Sequence, residues 1–133
     1  MRFLFNLFMC FFFTSLVAQG ADTKQAENRY KFLVEKIKTN GTEADYNELR
    51  QIFVQTKRYN PYNSKEESLR GDMAKAMEDE KWQTCIDLAD KALSYNYLYI
   101  TGHLNASYCY SRIDNKEKAD FQLYFDLHLL SAA

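Results

Sequence analysis

Two histidines and three cysteines supply the residues of this 133-residue chain best suited to catalysis or metal binding. His103 is the leading candidate, because imidazole titrates near neutral pH and ligates metals. It stands in YNYLYITGHLNASYCY, a stretch patterned as a helix, with Ser107 rather than a carboxylate or thiol one turn on. Zinc asks for three or four converging ligands. The other histidine, His128, lies near the chain end, so neither a metal nor a cofactor is expected. His103 reads as a buried, hydrogen-bonded ring; the rival reading is a small periplasmic enzyme or ligand-binding protein with His103 in its site. Nucleophile-elbow and phosphate-loop patterns are absent, and acidic residues are interleaved with lysines as on solvated helix faces. The chain is therefore read as non-catalytic.

The residues that must position His103 begin after a leader. Met1-Arg2 precedes FLFNLFMCFFFTSLVA, an apolar run of about sixteen residues followed by small ones, which reads as a signal peptide over 1–20. A membrane anchor wants a run of about 20. Six of the ten Phe fall before residue 14, whereas all ten Tyr follow residue 29. Without Arg2 the 17 basic residues become 16 against 18 acidic, so the basic footprint expected of a nucleic-acid binder is missing. Residues 21–133 are expected to form one exported domain, periplasmic or secreted, with no membrane contact after leader cleavage.

Helix formers dominate that domain, and no segment alternates as a strand does. The pattern predicts an all-α fold with helices over about 23–39, 43–57, 65–78, 80–94, 98–112 and 116–130. Thr42-Glu-Ala-Asp45 is a capping-box-like start, and Pro61 in YNPYN is a breaker. A period runs through these helices. From Trp82, residues Cys85, Ala89 and Ala92 follow at +3, +7 and +10. From Tyr46, Leu49, Phe53 and Thr56 take the same offsets; from Lys116, Ala119 and Leu123 take the first two. The anchors are 36 and then 34 residues apart.

DYNELRQIFVQTKRYNP and EKWQTCIDLADKALSYNY resemble the second helix of a tetratricopeptide repeat, and ASYCYSRIDNKEKA resembles its inter-helix junction. His103, Ser107 and Tyr97 stand where Trp, Gly and Pro are usual. The resemblance implies about three antiparallel helical hairpins stacked in a short array. LRQIFVQTKRYNPYNS, ALSYNYLYITGHLNASYCY and NKEKADF are also similar to an exported bacterial family, domain of unknown function 4919. That family continues beyond the last helix, so the resemblance implies either a C-terminal truncation or a last segment that differs from the family's; a truncated product without independent function is a further reading.

The repeat resemblance places Lys31, Lys38, Arg70, Tyr108 and Arg112 on positions that face a concave groove, where a protein or peptide partner is expected. Tyr59, Tyr62, Tyr95, Tyr97 and Tyr99 fall at the inter-repeat turns, as an interaction face or as covers for the helix ends. Cys85 early in one helix and Cys109 late in its antiparallel neighbour bring two thiols together, either as a disulfide or as buried small hydrophobes. Leu123, Phe125, Leu127, Leu129 and Leu130 make the last helix apolar, so the Leu123–Leu130 face is expected to self-associate or be covered. The sequence thus points to an exported protein-interaction or scaffold module.

Overall fold

The computed structural model describes residues 22–131, in which every regular element is helical. The expected leader lies outside the described residues. Helix α1 covers 22–40, and α2 covers Glu43–Phe53. After a 3-10 turn, Glu67–Leu69, come α3 (Arg70–Glu78), α4 (Trp82–Tyr95), α5 (Ile100–Arg112) and α6 (Lys116–Ser131). None of these helices is long and apolar enough to cross a membrane.

Local chemistry fixes the helix ends. At the start of α2 the Thr42 N–H and hydroxyl both donate to Asp45, 2.9 and 2.8 Å away, and Lys36 from α1 binds the same carboxylate at 2.6 Å. The Lys36 ammonium, with Thr42, holds the Asp45 carboxyl down at about 2. Helix α2 stops at Phe53, four residues before the expected end. The Thr56 hydroxyl takes the Phe53 carbonyl at 2.7 Å, and the Gln55 and Thr56 amides turn back to Ile52 and Phe53. Such local bonds compete with the helical ladder.

The α3–α4 and α5–α6 turns close in the same way. Glu80 and Asp114 adopt left-handed backbone, φ 55° and 57°. The next residues, Lys81 and Asn115, donate back to Ala76 and Tyr110. This is the Schellman arrangement that satisfies terminal carbonyls, and its two occurrences are 34 positions apart in sequence. Successive helices from α3 to α6 each pack on the next. In contrast, α2 packs on α6 and not on α3. The first hairpin therefore leans on the last helix instead of extending a line of neighbours.

Two hydrophobic clusters result. One joins α1 and α2 (Leu33, Ile37, Tyr46, Leu49) to Leu93, Tyr97 and Phe125. The other fills the space among α3, α4, α5 and α6 with small residues, Ala89, Ala92 and Ala106 all fully buried. Gly102 continues this close approach: a Cβ there would lie 2.9 Å from Leu93 and 3.0 Å from Tyr99. Cys85 and Cys109 are joined by a disulfide across α4 and α5, both fully buried.

Closing a separation of 24 residues restricts the unfolded chain, an effect of about 3 kcal/mol. Replacing both cysteines by alanine is expected to lower unfolding stability by about that amount, measured by urea denaturation under non-reducing conditions. Equal midpoints for the two proteins would contradict it.

Candidate functional site

An open groove of about 890 Å³ runs between α1, α4 and α6. Helical spacing brings Lys31, Glu35 and Lys38 to one side of α1, where they form one wall. Asp90 and Ser94 of α4, with Glu117 and Lys118 of α6, form the other. Val34, Leu93, Tyr97 and Phe121 make the floor, of which Phe121 is the most exposed. Glu35 binds Lys38 at 2.8 Å, and the Lys38 ammonium sits 5.5 Å from the centre of the Tyr97 ring. Partial loss of water raises the Asp90 pKa, with Asp87 adding to the rise and Lys118 and Lys38 opposing it.

Arg58 closes one end. It reaches from the loop after α2 to Glu27 at 3.0 Å and to the Ser94 carbonyl at 2.8 Å, with its guanidinium 5.0 Å from the Tyr30 ring centre. A cation at the carbonyl end of α4 is also favoured by the helix dipole.

Behind the floor lies His103, fully buried. Its Nε2 is 2.8 Å from the Tyr97 carbonyl and its Nδ1 is 2.5 Å from the side-chain amide of Gln122. The ring stacks on Phe125 with centroids 4.0 Å apart, and meets the edge of Tyr97 at 5.1 Å. Burial lowers the His103 pKa, against the hydrogen bond to the Tyr97 carbonyl, which raises it. A neutral ring that donates from Nε2 leaves Nδ1 as an acceptor. The Gln122 amide must then turn its NH₂ towards the ring, since an oxygen there would demand an imidazolium. Gln122 lines the groove, so it stands between the groove and the imidazole.

The structure divides the residues singled out in sequence. Lys31 and Lys38 line the groove. Arg70 pairs with Glu67 at 2.9 Å, away from it. Tyr108 and Arg112 gather instead on Trp82, at 6.0 and 4.9 Å. The five groove candidates are therefore not brought together: Lys31 and Lys38 lie on α1, Arg70 at the start of α3, and Tyr108 and Arg112 on α5 beside Trp82. The five turn tyrosines do not form one face either. Tyr62 is 98 % exposed and Tyr59 is exposed while touching Phe53. Tyr95 lies under Lys65, and the Tyr99 hydroxyl donates to Glu67 at 2.8 Å. Tyr97 is core, its N–H donating to the Tyr30 hydroxyl at 2.8 Å. Among the described residues no cluster of three His, Cys, Asp or Glu is placed to hold a metal ion.

Sequence reasoning missed Arg58, Gln122 and Lys118 as members of one site. They come from separate segments, and no local spacing connects them. No family model, curated protein or solved structure matches the chain.

The His103 assignment has a pH consequence. The unfolded chain takes up a proton near 6.5 that the folded ring refuses. Stability from this group is complete above 6.5 and falls as pH drops towards the lower folded value. Asp45 acts separately, losing its contribution between 3.8 and about 2. By ¹⁵N-detected NMR, His103 is expected as the Nε2–H tautomer titrating below 6.5. Titration above 6.5, or an Nδ1–H tautomer, would contradict this environment.

Proposed function

We propose that the protein is an exported, non-catalytic binding module that receives a polypeptide segment in the groove between α1, α4 and α6. The observation carrying this reading is the groove's composition. Its walls set Lys31, Lys38 and Lys118 against Glu35, Asp90 and Glu117, above an apolar floor. Such a lining selects neither anions nor cations as a class, and it suits a chain with alternating charges and apolar side chains. The enclosure of His103 supports a structural role for that ring.

In this reading α3–α6 form a tetratricopeptide-like unit, supported by the two equivalent turns 34 positions apart. The first hairpin, laid across α4 and α6, turns that unit's side into a groove. Export rests on the leader composition.

The test is selection of a random peptide library on the wild-type protein, followed by binding measurements on variants. Ser94→Trp fills the groove from an exposed position, and Lys31→Glu reverses one wall charge. Selected peptides are expected to bind Ser94→Trp at least about tenfold more weakly, a loss of about 1.4 kcal/mol, with circular dichroism unchanged. Peptides that bind both variants as tightly as the wild type, or a selection that yields none, would overturn the reading.

A further inference from the structure

Helix α6 reads FQLYFDLHLL over 121–130, apolar around much of its circumference. A helix of that kind is ordinarily buried on all sides. Here Phe125 is 1 % exposed, yet Leu123 is 45 % and Leu127 61 % exposed.

The register of α6 against α5 shows what lies beside these leucines. The Ser107 hydroxyl donates to the Ala119 carbonyl at 2.9 Å, and His103 meets Gln122. The helices are antiparallel, with 100° of turn per residue. Ile100 and Leu104, 36 % and 47 % exposed, then fall on the same outer side as Leu127 and Leu123. The groove side of α6, carrying Phe121, is opposite. Tyr108 and Tyr124 border the apolar face, both about half exposed.

We propose that this outer face of α5 and α6 is a homodimer interface, in which a second copy of the chain covers Ile100, Leu104, Leu123 and Leu127 with the same four residues of its own. Two features select a second copy over other occupants. The first is charge. The exposed charged residues at the end where α5 meets α6 are Arg112, Asp114, Lys116, Glu117, Lys118 and Asp120, three of each sign. A balanced rim can meet itself across a two-fold axis without net repulsion. An anionic lipid surface would call for an excess of Lys and Arg, and a strongly charged partner for a rim of one sign.

The second is area. Four half-exposed aliphatic side chains with two tyrosines present on the order of 600 Å² of surface, at the upper end of what monomers leave uncovered and near the ~800 Å² per partner of a standard interface. The dimer leaves the groove open, because the groove lies on the other side of α6. It therefore stands independently of the peptide-binding reading.

Size-exclusion chromatography with light scattering, on protein produced from the full chain at tens of micromolar, is the test. The wild type is expected at twice the monomer mass. Leu123→Glu and Leu104→Glu, which set like charges against one another across the axis, are expected at the monomer mass with unchanged helicity. A monomeric wild type, or a folded Leu123→Glu that stays dimeric, would overturn the proposal. If a variant fails to fold, hydrogen exchange on the wild type decides. Dilution is expected to speed exchange selectively in 100–108 and 120–128, whereas unchanged exchange there would overturn it. Flotation of a monomeric wild type with phosphatidylcholine–phosphatidylglycerol vesicles would assign the face to lipid and likewise overturn it.

Discussion

His103 donates from its centre in the fold to the Tyr97 carbonyl, and Tyr97 in turn donates its N–H to the Tyr30 hydroxyl. With Gln122 on the other ring nitrogen, these bonds tie α6, α5, the α4–α5 turn and α1 into one buried polar line. Both His103 ring nitrogens and the Tyr97 N–H and carbonyl find partners within this line, and paired polar groups of this kind strengthen a core. Leaving one without its partner costs about 1–3 kcal/mol, a large share of the stability of a domain this small. Phe125 reinforces the joint by touching His103, Tyr97 and Tyr46 together.

The rest of the fold is arranged around that joint. On one side, small residues and the Cys85–Cys109 disulfide draw α4 and α5 close, so that α5 presents His103 at a fixed height. On the other, α1 and α2 reach the bundle through Tyr30, Tyr46 and Leu93, with Arg58 clamping the end of α4. The groove is the space left where α1 crosses α4 and α6. Its floor residue Tyr97 and wall residue Gln122 are also members of the buried line. The lining of the groove and the docking of the first hairpin therefore depend on the same side chains.

Features set by neighbours in sequence were legible without coordinates. The helices follow from the apolar spacing, the Thr42–Asp45 box from its own four residues, and the equivalence of the α3–α4 and α5–α6 turns from the period of 34. The tetratricopeptide resemblance set His103 where an aromatic is usual and so marked it for burial, and the ring is fully buried. Features made by distant segments were not legible. The early stop of α2 is local but equally hidden, because it turns on the Thr56 hydroxyl taking the Phe53 carbonyl, which the apolar spacing does not decide. The leaning of α2 on α6 depends on Tyr46 finding Phe125 and His128. A repeat pattern also spaces side chains evenly, so it could not reveal that Tyr97 is core while Tyr62 is solvent-exposed. Nor could it assign Lys31 and Arg112 to different sides of the molecule.

That the buried line holds the first hairpin to the bundle is tested most directly by native-state hydrogen exchange of Tyr30→Phe. The substitution keeps the ring and removes only the acceptor for the Tyr97 N–H. The expected result is about tenfold faster exchange in α1 and α2, corresponding to about 1.4 kcal/mol, with the most protected amides of α4 and α5 unchanged. Exchange that is unaltered in α1 and α2, or accelerated equally in all six helices, would contradict a joint at this position.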